Sequence, residues 1–394
     1  MSAAPILSRH SSTPRRRRGA EGFGHVGGRL RIAVIGPAVN PVREPYAGGL
    51  ESFVGNLTAG LRARGHEVFL FAAAGSTDAE TEFTFPAGGW QASQLAEQDT
   101  SMPARAFMAE HHAHLQVMTA LRTQYADRID IVHNNSLHYL PLSLADTLPV
   151  PVLTTLHTPP TPWLESALAP GAAASRFTCV SRSTARQWAH VLPGCPVVPN
   201  GVSPEQWPLG PGGPDLLWYG RMTAEKAPHL AVRAAALADR SIDLAGPVSD
   251  PHYFHQVVEP LLGERVRYLG HLSGTKLARV VGHAAAVLVT PVWDEPFGLV
   301  IAEAAMCGTP VVAFDRGGVA ETLEPDASNP VGRVVAAGDV EAMAAAVDDV
   351  REFDRACVRR EARRRLSFDR VVDRYETAYR RLAVDSAQVD EAAS

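Results

Sequence analysis

The feature that most constrains this chain is a repeated alternation of short β-branched runs with segments of helical period. The first unit begins at residues 30–36 (LRIAVIG), continues through an apolar helical stripe, and returns after Gly65 as the run HEVFLFAA. Such alternation predicts parallel sheets joined by crossover helices. Further strands are expected at residues 129–133, 150–157, 176–181 and 196–200.

The pattern is interrupted once, at residues 203–214 (SPEQWPLGPGGP), where Pro and Gly are too dense for a helix or a strand to continue. It then restarts with five more strand candidates: LLWYG, IDLAG, VRYLG, AVLVT and PVVAF. We therefore expect an α/β protein of two Rossmann-like, doubly wound domains, at residues 29–204 and 205–366. Ligands of such sheets bind outside the carboxyl ends of the strands, so the cleft between the domains is the expected site.

Composition narrows the range of partners. The 394 residues carry a formal net charge of −5, which provides no broad electrostatic reason for nucleic-acid binding. Four widely spaced cysteines favour neither a zinc site nor a disulfide framework, and a reducing cytoplasm fits them. No apolar run is long enough to span a membrane, so a soluble protein is expected.

The two ends of the chain differ from its middle. Residues 1–28 are rich in Ser, Gly, Pro and Arg and predict a disordered basic tail, with an arm for an anionic membrane surface or a phosphorylated acceptor as the alternative. Residues 367–394 carry one apolar helical stripe that must pack on something, followed by a disordered end.

The most informative local segment is residues 291–311, PVWDEPFGLVIAEAAMCGTPV. A strand end passes through a turn into a helix that starts near Gly298, and such a start presents unpaired N–H groups to an anion. Glu303 is the single charged residue in this helix, so it needs hydrogen-bond donors, which ligand hydroxyls would supply. Glu295 lies at the mouth of the turn. The alternative is that Glu303 caps nearby backbone and Glu295 is merely exposed.

Three other clusters suggest ligand contacts. Arg221 and Lys226 follow the first strand of the second domain and could neutralise a diphosphate. Gly48 and Gly49 precede the first helix, where backbone could approach a ligand closely. His157 closes a strand and should point into the cleft. An ordinary helix start, a turn and a core histidine are the respective alternatives.

Other nucleotide-site patterns fail. The chain has no Walker A sequence, and its one G-x-G-x-x-G, at residues 22–27, precedes the first strand instead of following it. No D-x-D stands at a strand end to hold a divalent cation, and two nearby cations would make one unnecessary, so we expect metal independence.

The run E-P-F-G-L-V-x-x-E-A, followed by C-G-T-P-V-V-A, resembles the donor-site signature of family-4 retaining glycosyltransferases of the GT-B fold. The resemblance implies that Glu295 hydrogen-bonds the donor sugar and that Glu303 holds the ribose hydroxyls. Backbone N–H groups of Phe297, Gly298 and Leu299 would contact sugar and diphosphate. Val292 departs from the family pattern, which often has Ser there.

The same resemblance covers the other clusters. It implies that Arg221 and Lys226 stabilise the leaving diphosphate, that Gly48 and Gly49 face it across the cleft, and that His157 lies close to the transferred sugar. In family members the last helix crosses back to the first domain. Asn200 and Gly201 match a family P-N-G-V-D, although Ser203 replaces the Asp, and we expect them to be structural.

The activity implied is transfer of a hexose, of the glucose or N-acetylglucosamine type, from a nucleotide-diphosphate sugar to a hydroxyl, with retention and without a cofactor. UDP is the family default. The chain is similar to actinobacterial enzymes that glycosylate antibiotics or other small molecules. A lipid or cell-envelope acceptor, a nucleotide-sugar epimerase and a non-catalytic binding protein remain alternatives, although no amphipathic basic helix indicates membrane association.

Overall fold

The computed structural model describes residues 28–77, 83–85, 93–99, 101, 104–168, 173, 176–323 and 331–392. The predicted tail at residues 1–27 and residues 393–394 of the predicted disordered end lie outside the described residues. Two sheets of six parallel strands organise the chain. Their strands are β1 (Arg31–Ile35), β2 (Glu67–Ala73), β3 (Phe83–Phe85), β4 (Ile131–Asn134), β5 (Val152–Leu156), β6 (Phe177–Cys179), β7 (Leu216–Tyr219), β8 (Ile242–Ala245), β9 (Val266–Tyr268), β10 (Val287–Val289), β11 (Val311–Phe314) and β12 (Gly332–Val335).

Both sheets have the same strand order. The first runs β3-β2-β1-β4-β5-β6, and the second runs β12-β11-β10-β7-β8-β9, which is the same order counted from its own first strand. The direction of winding reverses between β1 and β4 and again between β7 and β10. Parallel α/β sheets open a crevice at the carboxyl ends of such neighbouring strands, so each domain offers one binding edge. The predicted pair of Rossmann-like, doubly wound domains is confirmed.

Two strand predictions were wrong in detail. Residues 196–200 form no strand, and only Val197 makes an isolated bridge, to Cys179. Pro196 and Pro199 have no N–H to donate to a ladder, which explains the failure. The second sheet has six strands and not five, because the short edge strand β12, which contains Arg333, lacks a clear apolar signal.

The crossover segments are mostly helical. The helices are α1 (Gly49–Ala63), α2 (Arg105–Arg122), α3 (Leu140–Ser143), α4 (Pro162–Glu165), α5 (Arg182–Gln187), α6 (Pro228–Leu237), α7 (Pro251–Tyr253), α8 (Gly274–His283), α9 (Leu299–Met306), α10 (Val319–Leu323), α11 (Val340–Arg351), α12 (Arg355–Leu366) and α13 (Phe368–Ala392). None of the helices in the described ranges is both long and apolar enough to cross a bilayer.

The last helix belongs to the core of the first domain. Its apolar stripe, including Phe368, Tyr375 and Tyr379, is buried in one cluster with residues of α1, β1 and β2. The chain therefore leaves the first domain, builds the second, and returns to complete the first.

The two passages of the chain between the domains lie side by side. Val202 N–H donates to Leu366 O at 2.8 Å, and Phe368 N–H donates to Val202 O at 3.0 Å. A Cβ added to Gly201 would lie 2.8 Å from Leu366 O, so only glycine permits this approach. The connection between the domains is thus a paired, hydrogen-bonded hinge.

Candidate active site

A cavity of about 660 Å³ lies between the two domains. The residues that follow β1, β4, β7 and β10 all line it, so both winding reversals open onto the same space. We call its two sides the first-domain wall, formed by the cavity residues before Asn200, and the second-domain wall, formed by those from Trp218 onward. The cleft predicted between the domains is therefore present.

The start of α9 forms one edge of the second-domain wall. Gly298 caps the helix with φ 84° and ψ 64°, a left-handed conformation that favours glycine. Phe297, Gly298 and Leu299 all line the cavity, although the Phe297 side chain is buried in the core of the domain. The N–H groups of a first helical turn carry partial positive charge, so this edge suits an anion.

Glu295 is held in place before the same turn. Lys226 Nζ forms an ion pair with its Oε2, and Trp293 Nε1 donates to that oxygen at 3.1 Å. The Lys226 ammonium also lies 5.0 Å from the centre of the Trp293 ring. The side chains of Lys226 and Glu295 are 22% and 14% exposed. Oε1 of Glu295 has no hydrogen-bond partner among the described residues and is available to a ligand.

The backbone beneath Glu295 depends on two glycines. A Cβ added to Gly317 would lie 2.3 Å from Glu295 O, and one added to Gly318 would lie 2.3 Å from Pro296 O. Gly318 N–H also donates to Glu295 O at 2.7 Å. The D-R-G-G segment thus supports the turn that carries Glu295.

Arg221 is the more exposed of the two cations. It follows β7 directly after Gly220, and its Nη2 lies 3.2 Å from Oε1 of Glu225, four residues further along the chain. Its side chain is 43% exposed, so this ion pair is weak and can be exchanged for a ligand at little cost. Arg221 and Lys226 are brought to the same wall, as the sequence predicted.

Glu303 lies one turn into α9 and lines the cavity. Burial raises its pKa to about 7, partly offset by the nearby Tyr219 hydroxyl. That hydroxyl donates to Val300 O at 2.8 Å. Glu303 is therefore partly protonated near neutral pH, and hydrogen-bond donors from a ligand would favour its ionised form.

His157 is the predicted residue of the first-domain wall. Its Nε2 lies 3.0 Å from Asn135 Oδ1, and the ring meets Phe53 edge-on at 4.9 Å. Burial lowers the pKa of His157 to about 3, so the ring is neutral. Because an amide oxygen only accepts, Nε2 carries the proton and Nδ1 is left as an acceptor.

The first-domain glycines play unequal parts. Gly48 caps α1 with φ −166°, an extended conformation open to any residue. A Cβ added to Gly49 would lie 3.0 Å from Leu299 Cδ1, which makes Gly49 a point where the two domains touch. Both glycines line the cavity.

Sequence reasoning missed Asn135, and it placed Glu321 only in the run DRGGVAE, residues 315–321, which with Arg316, Gly317 and Gly318 resembles a family loop near the donor. Asn135 is buried directly after β4 at the winding reversal, and the pairing of β4 with β5 places it beside His157. Glu321 accepts from the backbone N–H groups of Arg182 and Ser183 at 2.8 and 2.7 Å, so it caps α5 of the other domain. The local sequence pattern does not predict such a contact between domains.

The described part of the chain has no group of three or more His, Cys, Asp or Glu residues placed to hold a metal ion. Every predicted site residue lines the one cavity: Gly48, Gly49, His157, Arg221, Lys226, Glu295, Phe297, Gly298, Leu299 and Glu303. The arrangement joins an anion-binding edge to a set of carboxylate and imidazole acceptors, which is the chemistry needed to hold a phosphorylated sugar.

Known proteins agree with this arrangement. Residues 47–206 match the family model Glycosyltransferase Family 4, and residues 202–366 match Glycosyl transferases group 1. The chain is 29% identical over 384 residues to a glycogen synthase of Mycobacterium tuberculosis, covering 86% of this chain and 91% of that protein. It is 38% identical over 140 residues to a D-inositol 3-phosphate glycosyltransferase of Mycobacterium marinum, covering 34% of this chain and 29% of that one.

Solved structures resemble the whole molecule. AviGT4, a glycosyltransferase involved in avilamycin A biosynthesis, superposes with a TM-score of 0.66 at 25% identity, over 90% of this chain and 98% of that one. Anabaena Alr3699/HepE, solved with UDP-glucose, gives 0.66 at 20% identity over 89% and 99%. The chain is therefore a glycosyltransferase with the GT-B fold, in which the first domain matches the Family 4 model and the second matches the group 1 model.

Proposed function

We propose that this enzyme transfers a hexose, of the glucose or N-acetylglucosamine type, from a UDP-sugar to a hydroxyl of a small-molecule acceptor, with retention of anomeric configuration. The observation that carries the proposal is the convergence of Arg221, Lys226 and the start of α9 on one wall of the cleft. The UDP-glucose in the HepE structure and the role of AviGT4 in avilamycin A biosynthesis support the choice of donor and acceptor class.

In this proposal the diphosphate lies against the start of α9. The N–H groups of its first turn and the guanidinium of Arg221 bind the phosphate oxygens. Lys226, held by Glu295 in the structure, shares its charge with the diphosphate once the donor is bound. Gly48 and Gly49 approach from the opposite wall.

The sugar lies between Glu295 and His157. Oε1 of Glu295 and Nδ1 of the neutral His157 ring each accept a hydrogen bond from a sugar hydroxyl. The ribose hydroxyls donate to Glu303, which favours its ionised form, so donor binding is expected to release part of a proton near pH 7.

Transfer follows from stabilisation of the leaving group. As the glycosidic bond loosens, negative charge grows on the diphosphate beside Arg221, Lys226 and α9, where fixed charges and dipoles stabilise it. The acceptor hydroxyl attacks from the same face, and a donor phosphate oxygen takes its proton, so no side-chain base is required. No divalent cation takes part; loss of turnover in EDTA, restored by magnesium, would contradict this.

The first experiment is thermal melting with UDP, GDP and ADP, and then with their sugars. Binding to the native state stabilises it by mass action and so raises the melting temperature. At a ligand concentration of a hundred times Kd, the free energy of unfolding rises by about 2.7 kcal/mol. A shift with UDP alone supports the proposed donor. A folded protein that shifts with none of them contradicts the proposed site. The product is then identified by NMR: its anomeric configuration tests retention, and a sugar bonded to the acceptor distinguishes a transferase from an epimerase.

A further inference from the structure

The two walls of the cleft differ in charge. Among the described residues that line the cavity, Arg221 and Lys226 are the only Lys or Arg side chains, and both belong to the second-domain wall. The first-domain wall has Glu44, Glu51 and Glu110 instead. The positive charge is therefore confined to the side where the donor diphosphate is proposed to bind.

Glu44 and Glu110 are the carboxylates of that wall without a partner among the described residues, and Glu44 is exposed whereas Glu110 is withdrawn from solvent. Glu110 lies on α2 and is partly buried, and neither a hydrogen bond nor an ion pair reaches its side chain from the described residues. Burial raises its pKa. A carboxylate taken out of water gains stability when a ligand supplies N–H or O–H donors, so Glu110 favours a ligand rich in such groups.

Asn200 supplies an independent observation. It is only 7% exposed, lines the same cavity, and its Oδ1 has no hydrogen-bond partner among the described residues. An unpaired buried amide oxygen is costly unless a ligand or water donates to it. Asn200 thus also indicates a hydrogen-bond donor in the cavity.

The histidines of the first-domain wall do not reverse its charge. Burial lowers the pKa of His114 to about 4 and that of His157 to about 3, so both are neutral at pH 7. Among the described residues that line the cleft, a second phosphate would therefore find no Lys or Arg beyond the two that are proposed to bind the donor.

We infer that the acceptor carries no phosphate and is an amino sugar or neutral polyol whose ammonium or hydroxyl groups donate to Glu110 and to Asn200 Oδ1. This inference rests on the proposed function and specifies its acceptor. It separates the chain from a relative such as the inositol phosphate enzyme, whose name gives a phosphorylated acceptor.

The test uses three sugars that differ in charge: glucosamine, glucose and glucose 6-phosphate. Their binding to the full-length protein saturated with UDP is measured by saturation-transfer NMR, and their glycosylation is measured with the UDP-sugar that the melting experiment selects. We expect glucosamine to bind best and glucose 6-phosphate to bind at least about tenfold more weakly than glucose. Equal or tighter binding of glucose 6-phosphate overturns the inference, and so does the failure of all three to bind.

A charge-neutral variant assigns the effect to a residue. Glu110→Gln is expected to lower the affinity for glucosamine about tenfold, to that for glucose. It should also reduce the difference in affinity between glucose and glucose 6-phosphate. The matched control is Glu341→Gln, an exposed acid in the first turn of α11 away from the cavity. An unchanged ranking in Glu110→Gln contradicts the inference. Melting shifts with UDP are measured in parallel, since their absence would refute the donor site and not the acceptor class.

Discussion

The two walls of the cleft are built in different ways. The second-domain wall takes its charged residues from two continuous segments, residues 219–226 and 291–303. The first-domain wall gathers its polar residues from α1 and α2 and from the ends of β1, β4 and β5, which together span more than 100 residues of the sequence. The proposed donor site is therefore a compact motif, whereas the opposite wall is assembled from separate segments. We therefore expect substitutions in single loops to change the choice of acceptor more readily than the choice of donor.

The interiors of the domains differ as well. The first buries a polar network in which His133 lies 2.7 Å from the Tyr379 hydroxyl and 2.8 Å from Thr155 Oγ1, and burial lowers the pKa of His133 to about 3. In the second domain, burial instead raises the pKa of Glu303 to about 7. The pH dependence of stability should therefore have opposite signs in the two domains.

The largest loss of activity is expected from a substitution in the second-domain wall. Lys226→Ala removes the cation beside the leaving diphosphate and leaves Glu295 unpaired, so we expect kcat to fall at least about a hundredfold. Lys276→Ala is a matched control, because Lys276 is the only other lysine of the chain and is exposed on α8. Steady-state kinetics of both variants measure the effect. A Lys226→Ala enzyme within about threefold of wild type would remove this residue from the mechanism.

Arg221→Ala and Glu295→Ala are each expected to lower the rate at least about tenfold. Glu295→Ala should lower the rate less in the Lys226→Ala enzyme than in the wild-type enzyme, because the two side chains share one ion pair. The double-mutant cycle measures this coupling. Strict additivity would show that the pair does not act as a unit.

A smaller effect is expected at the first-domain wall. His157→Ala removes the proposed acceptor of a sugar hydroxyl and should lower kcat/KM about tenfold. Because the pKa of His157 is lowered to about 3, the ring stays neutral and contributes no ionisation to the rate between about pH 5 and pH 8. If the pH–rate profiles of wild type and His157→Ala differ by a step near pH 6.5, the ring titrates and its predicted neutrality is wrong.

The opposite pH dependence of stability in the two domains provides another test. Glu303 has a raised folded pKa, so its contribution to stability is present below about pH 4.5 and is lost as pH rises towards 7. Buried histidines such as His133 behave oppositely, and their contribution is lost as pH falls below about 6.5. Relative to wild type, Glu303→Gln should raise Tm by about 3 °C more at pH 8 than at pH 4.5. Calorimetry across this range measures it, and a constant difference would contradict the raised pKa.

The smallest expected effect concerns the contact between the walls. Glu321→Ala removes the cap that the second domain places on α5, so the cleft should open more readily and kcat/KM should fall roughly threefold. Small-angle scattering should show a larger radius of gyration for this variant without ligand than for Glu341→Ala. Identical scattering and kinetics would indicate that Glu321 does not hold the domains together.

Sequence reasoning succeeded where the signal is local. The alternation of strands and helices predicted both sheets, and the segment around Glu295 and Gly298 placed the second-domain wall, because a strand end and a helix start are adjacent in sequence. The strand predicted at residues 196–200 was wrong, because Pro residues interrupt the β-branched run there. The edge strand β12 was not predicted, because it is too short to give a clear apolar pattern.

Contacts that join distant positions were not accessible from the sequence. Asn135 orients His157 across 22 residues, and Glu321 caps α5 from nearly 140 residues away. Glu110 was not singled out, since a lone acid on an amphipathic helix is normally solvated. Only the fold shows that this carboxylate faces a cavity.

The return of α13 to the first domain has a consequence for synthesis. A growing chain emerges from the ribosome in order, so the sheet that forms first must wait for Tyr375 and Tyr379, which are made after the whole second domain, before its apolar face is covered. The second domain, encoded wholly between these two parts, has all its strands before then. We therefore expect the domain begun last to be finished first, and nascent chains that lack α13 to depend on chaperones until that helix has been synthesised.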